Sequence, residues 1–174
     1  IGAQGPEGLE YELAADFARS LGVRLAMTPY ESERQAVEAL RTGEADMAAA
    51  QLTYRGAWQV FALPSRNYDE VAQLVVYVRG AVKPKGIDAL RGRRIVSKAD
   101  SPQADMLAGL RDRLGQGLQW QELPADARNR PLDILAAGEA DITIVDAPAF
   151  RFIHQAYPEL LAAFELEQSR PVQW

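Results

Sequence analysis

The chain has no cysteine, and His154 is the single histidine among its 174 residues. Disulfides, thiolate nucleophiles and cysteine-ligated metals are thereby excluded, and a multi-histidine metal site is not available. The lack of cysteine says nothing about cellular compartment. No apolar run is long enough to span a bilayer. No Gly-rich phosphate loop occurs, and Glu31-Ser32 is too short to count as a catalytic signature. The formal net charge of −5 supplies no basic stripe for nucleic acid or a membrane surface. Neither a metal nor a cofactor is expected, and no residue pattern supports catalysis within this segment.

What is present is ordinary globular composition, 48% hydrophobic and 25% charged, in a chain long enough for one domain or two small lobes. Two stretches are nearly alike. Leu40-Arg41-Thr42-Gly43-Glu44-Ala45-Asp46-Met47 leads into an apolar run ending Gln51-Leu52-Thr53, and Leu135-Ala136-Ala137-Gly138-Glu139-Ala140-Asp141-Ile142 leads into Thr143-Ile144-Val145-Asp146. Each reads as an amphipathic helix stopped by glycine in the left-handed conformation, followed by a short buried strand. The offset, 138 − 43 = 95, also relates Gly22 to Gly117, each heading a short run that ends in Pro29 or Pro124. This argues for two lobes built alike, although helix–glycine–strand joints are common in α/β chains generally.

Taken in order, the spacing predicts a helix over 8–21, a half-buried strand over 23–28, a helix over 31–42 capped by Ser32, and a strand over 47–52. The stretch 55–66 is irregular, and Val71–Val78 is the most β-rich run, a crossover toward the second lobe. A strand opens at 94–97, Ser101-Pro102 caps and starts a helix, and 118–123, 128–137 and 142–145 complete a second β-α-β-α-β unit. Asp146-Ala147-Pro148 starts a last helix, with a late short strand at 164–166. Helices of this length between short strands predict parallel sheets in both lobes. Lobe 1 is assigned to residues 1–75, with its first strand missing, lobe 2 to 76–170, and 171–174 to the start of a return to lobe 1. The chain reads as a fragment, truncated at both ends.

In open parallel sheets, ligands bind at the carboxyl ends of strands, beside helix N-termini. Those positions are Gln51-Leu52-Thr53, Ser97 to Ser101, and Asp146. Asp146 either receives an ammonium group or simply caps the last helix. Ser101 either caps its helix or, with the following amides, holds an anion. Glu44, Asp46, Glu139 and Asp141 sit at the opposite strand ends and read as structural, and His154 has no acid or nucleophile placed beside it.

The residues 5–14 (Gly-Pro-Glu-Gly-Leu-Glu-Tyr-Glu-Leu-Ala), Gly43 to Thr53 and Gly138 to Asp146 resemble the family 3 extracellular solute-binding domain, with the type II periplasmic-binding-protein fold. The tail, Tyr157 to Leu166 with Pro171-Val172-Gln173-Trp174, is similar to the N-terminal domain of the membrane-bound lytic murein transglycosylase F family. The resemblance implies an α/β, two-lobed fold with parallel-sheet lobes and crossover strands. It implies a periplasmic, non-catalytic regulatory domain that holds a muropeptide or amino-acid-like ligand between its lobes. The parent chain would carry a lysozyme-like C-terminal domain acting on peptidoglycan and would be attached to the outer membrane. A stand-alone or sensor-linked periplasmic amino-acid-binding protein is the alternative. The implied ligand-binding set is Leu52, Thr53, Trp58, Tyr68, Ser97, Asp100, Ser101 and Asp146. Asp146 matches the family's ammonium-binding aspartate. Two positions depart from the amino-acid binders: Trp58 stands where they place a carboxylate-clamping arginine, and Asp100-Ser101-Pro102 replaces Gly-Ser-Ser.

Overall fold

The computed structural model describes residues 8–30, 33–53, 56–125, 127 and 130–174. Ser32, the first seven residues of the chain and the start of the helix expected from 128 lie outside them. The described residues divide into two compact units, one running to Asp69 and including Pro171–Trp174, the other Glu70–Arg170.

In the first unit, helices α1 (Leu9–Ser20) and α2 (Glu33–Thr42) both end at glycine. Gly22 and Gly43 take φ of 69° and 75°, the left-handed region that a Cβ disfavours. The chain then turns so that Val23 N–H reaches the Ala18 carbonyl at 3.0 Å and Glu44 N–H the Ala39 carbonyl at 2.9 Å. The apolar face of α2 turns Val37 inward, where it packs with Ala48, Leu52, Leu40, Trp58 and Phe61. The two strands expected here are not realised as ladders. Residues 23–28 form no strand and, apart from half-buried Leu25, are exposed, with Val23 at 59% and Met27 at 39%. Along 47–52, Leu52 alone forms a bridge, antiparallel to Gln173. Alternation in a sequence specifies which face is apolar, but a strand also needs a hydrogen-bonded neighbour, and no described residue supplies a ladder for these runs.

Strand β1 (Asp69–Val71) pairs with β7 (Arg170–Val172) in a two-stranded sheet. The second unit is built on a five-stranded sheet of order β4-β3-β5-β2-β6, with β2 at Gln73–Val78, β3 at Ile95–Lys98, β4 at Trp120–Leu123, β5 at Ile142–Asp146 and β6 at Leu160–Glu165. The parallel pairs β3–β4 and β3–β5 are as expected for an α/β unit. The crossover run Val71–Val78 departs from the expected parallel sheet. Its β2 part lies inside the sheet, antiparallel to both β5 and β6. The helix α5 (Ala147–Ala156) carries the chain from β5 to a parallel β6 and leaves a gap between them, which β2 fills from the opposite direction. Both of its faces are covered, and after Gln73 at its start the strand is an uninterrupted apolar run.

Alternation along β2 separates two cores. Val75 joins Leu90, Ile95, Leu107, Leu110, Leu118 and Ile142 under helix α3 (Pro102–Leu114), while Val76 joins Leu132, Leu135 and Leu160 under α4 (Arg130–Ala136) and α5. Each of these buried side chains contributes about 1.5–3 kcal/mol by leaving water. The packing holds the carboxyl ends of β3 and β5 side by side next to the first turn of α3.

Candidate functional site

The register of the sheet sets the site. Gln73, first residue of β2, stands opposite Asp146, last residue of β5. Directly opposed residues on antiparallel strands carry their side chains on the same face. Gln73 Nε2 accordingly donates to Asp146 Oδ1 at 2.8 Å. Gln103, second residue of α3, donates from Nε2 to the same oxygen at 2.8 Å and to Gln73 Oε1 at 3.1 Å. The other oxygen, Oδ2, accepts from Arg170 Nη2 at 2.7 Å. Gln73 and Arg170 are buried, at 0% and 4% exposure, and the Asp146 side chain retains 23%. Buried polar groups persist only when their partners are present, so these four side chains hold one another in place. Asp146 occupies the N-cap position of α5, yet its carboxylate accepts no capping bond. Long-range partners have taken its oxygens, and the simple cap reading of Asp146 does not hold.

The loop after β3 is organised by hydroxyls. Ser101 caps α3 by accepting from Ala104 N–H at 3.1 Å, and donates from Oγ to the Lys98 carbonyl at 2.7 Å. Ser97 Oγ lies 3.4 Å from Ser101 Oγ, and both residues are buried. Asp100, exposed between them, has φ of 54°, a left-handed conformation that Asp tolerates better than most residues. Ser97, Asp100 and Ser101 thus form one loop, and Gln103 on the same helix joins it to Asp146.

The expected residues of the first unit fall into two places. Leu52 is buried and bridges to Gln173, and Thr53 Oγ1 donates to the Pro171 carbonyl at 2.9 Å. Trp58, in a short 3-10 turn at Gly56–Val60, packs half-buried on the Leu52 cluster. Tyr68 lies elsewhere. Its hydroxyl donates to Glu10, which also accepts from Trp174 Nε1 at 2.9 Å, and the Tyr68 and Trp174 rings are 5.7 Å apart. Burial, and after it the Glu10 carboxylate, raise the Tyr68 phenol above its ordinary range.

Sequence reading missed Gln73, Gln103 and Arg170. Gln73 had a signal, since it is the one polar residue opening an otherwise apolar run. Arg170 had none. At the opposite strand ends Asp141 takes the Arg94 main-chain N–H at 2.9 Å and Arg94 Nη2 at 2.7 Å. The Arg94 guanidinium bond lowers the Asp141 carboxyl below its ordinary value despite partial burial. His154 Nδ1 lies 2.9 Å from the Leu160 carbonyl, and its ring stacks on Phe150. No cluster of three metal-ligating His, Cys, Asp or Glu side chains, and no helix long and apolar enough to cross a membrane, occurs among the described residues.

An α/β chain of two units, with a mixed sheet that gathers polar groups at the carboxyl ends of its strands, has the fold of the type II periplasmic binding proteins. Solved structures of this fold match it at low sequence identity. An ancestral arginine-binding protein bound to arginine gives a TM-score of 0.77 at 19% identity, covering 99% of this chain and 75% of that one. The VFT2 domain of Bordetella pertussis BvgS gives 0.77 at 21%, covering 99% and 72%. The chain belongs to the bacterial extracellular solute-binding proteins, family 3, whose profile matches residues 2–165. Among curated relatives, the membrane-bound lytic murein transglycosylase F of Yersinia enterocolitica is 32% identical over 173 residues, 99% of this chain and 35% of the relative. That of Serratia proteamaculans is 30% identical over 171 residues, 98% and 35%. The chain therefore spans about a third of the length of these relatives.

Proposed function

We propose that this chain is the non-catalytic ligand-binding and regulatory domain of a periplasmic lytic transglycosylase, with the carboxyl-end face around Asp146 as part of its ligand site. The observation that carries the reading is the Gln73–Gln103–Asp146–Arg170 network, a largely buried, mutually hydrogen-bonded polar cluster set where ligands meet α/β sheets. Similarity to the transglycosylases over nearly the whole chain supports the parent's identity. The ligand class is a muropeptide or amino-acid-like compound, with Ser97, Asp100, Ser101 and Asp146 as its candidate contacts in the second unit and Leu52, Thr53, Trp58 and Tyr68 as candidates in the first. Binding would regulate an attached peptidoglycan-cleaving domain only through different ligand affinity in two states of the domain. The parent would be held at the outer membrane.

A stand-alone amino-acid-binding protein is the second reading, favoured by the arginine-bound structures of the same fold. Fractionating the cell envelope and measuring the intact mass of the native polypeptide separates the two. A membrane-held product larger by at least about another domain of 100–200 residues supports the transglycosylase. A soluble periplasmic product near the length of this chain supports the second reading. Calorimetry with muropeptides and with free amino acids then tests the ligand class, and binding of neither removes both.

A further inference from the structure

Resting on the reading of the Asp146 face as a ligand site, we infer that Arg170 is the cation this site already contains. The site therefore meets its ligand through a neutral N–H or O–H donor, such as an acylated amine or a hydroxyl, and turns away a free ammonium.

The geometry carries this in three steps. A carboxylate offers about four lone-pair positions. Three at Asp146 are in use, two on Oδ1 from Gln73 and Gln103 and one on Oδ2 from Arg170. An ammonium brings three donors and needs several acceptors, whereas an amide N–H or a hydroxyl brings one, which is what remains. Next comes charge. A carboxylate captures an ammonium by compensating the cost of taking that cation out of water. Here the compensation goes to Arg170, whose guanidinium is always protonated and almost wholly buried against Asp146. A second cation at Asp146 would then face the first within a few ångströms. The last step is rigidity. Gln73 and Arg170 are buried, and Gln103 is anchored in the first turn of α3 behind the Ser101 cap, so the network does not rearrange without breaking several part-buried hydrogen bonds at once. Arg170 is therefore a specificity-determining residue, placed by β7 and invisible to a search for motifs near Asp146.

The test uses the whole chain labelled with 13C at aspartate carboxyls, and methylammonium as the probe. Tetramethylammonium, which has no N–H donor, serves as the control at equal ionic strength. The Asp146 signal is identified by its loss in Asp146→Asn. In the unmodified protein this signal is expected to stay in place as methylammonium rises through the millimolar range. In Arg170→Ala it is expected to move saturably, with apparent affinity at least about tenfold above any in the unmodified protein. A saturable, methylammonium-specific shift in the unmodified protein overturns the inference, and so does a still signal in a folded Arg170→Ala. If Arg170→Ala does not fold, Arg170→Met replaces it and keeps most of the buried volume. A free amino acid bound by the unmodified protein about tenfold more tightly than its Nα-acetyl form would overturn the inference as well. Failure to find any muropeptide or amino-acid ligand would sink the functional reading and leave these carboxyl shifts unchanged, so the two failures are told apart.

Discussion

The two helix–glycine–strand joints are nearly the same object up to a point and then part company. In the first, Gly43 N–H bonds the Leu40 carbonyl, and Glu44 and Ala45 N–H both bond Ala39. In the second, Gly138 bonds Leu135, and Glu139 and Ala140 both bond Ile134. Every donor and acceptor is displaced by the same 95 residues, and the two glycines have φ of 75° and 73°. Beyond the turn the likeness ends. Residues 142–146 become the centre of a sheet, paired to β3 and β2, while 47–52 acquire a single bridge at Leu52. The turn is encoded within seven residues, Ala39 to Ala45 and Ile134 to Ala140. The strand depends on neighbours that lie tens of residues away.

The widest separation between the two copies is expected in backbone hydrogen exchange. Amides of Ile142–Val145 should open only with the unfolding of the second unit, whereas those of 47–51 should exchange through local fluctuations that cost little. Comparable protection in both runs would mean that 47–52 has a ladder. Side-chain truncation comes next. Leu135, with no exposed surface, and Leu40, half-buried, occupy equivalent positions. Leu135→Ala should cost about 2–5 kcal/mol in urea unfolding, and Leu40→Ala less than about 2 kcal/mol. Equal losses would show that the first core is as tightly built as the second. The glycines themselves should not differ. A Cβ on Gly43 or Gly138 meets nothing within 4 Å, so alanine at either place suffers only the left-handed backbone, about 1–2 kcal/mol. A clear inequality would mean that the joints are held differently.

How far the sequence could be read follows the same division. Glycine stops and the Ser101 cap with Pro102 at the first helical position were legible, because each is decided within a turn or two of chain. So was Asp146 as a residue of interest, from its place at a strand end. What surrounds Asp146 was not legible. Gln73 is 73 residues away and reaches it through the antiparallel register of β2, itself expected to be a crossover and not an inner strand. Arg170 arrives from β7 at the other end of the unit. Local patterns do not encode such pairings, so a carboxylate that looked available for a ligand proves to be already partnered. The runs 23–28 and 47–52 fail for the complementary reason, an apolar pattern that acquires no ladder among the described residues beyond the single bridge at Leu52.

The smallest effect separates the two aspartates that close the joints. Asp141 and Asp46 are equivalent by the 95-residue offset, yet only Asp141 ties the first residues of β5 to the start of β3, through the Arg94 main-chain N–H. Asp46 is exposed. Asp141→Asn should lose about 1 kcal/mol, roughly one main-chain hydrogen bond to a carboxylate weakened by partial exposure, and Asp46→Asn should stay within about 0.5 kcal/mol of the parent. The pH dependence sharpens the contrast. Arg94 lowers the folded-state pKa of Asp141, so the unfolded chain takes up its proton first as acid is added. The stabilisation is complete above the ordinary aspartate range and declines as pH falls through that range to the lowered folded value. The difference in unfolding free energy between parent and Asp141→Asn should therefore shrink on acidification through that window. If that difference is flat, Asp141 acts through shape and not charge.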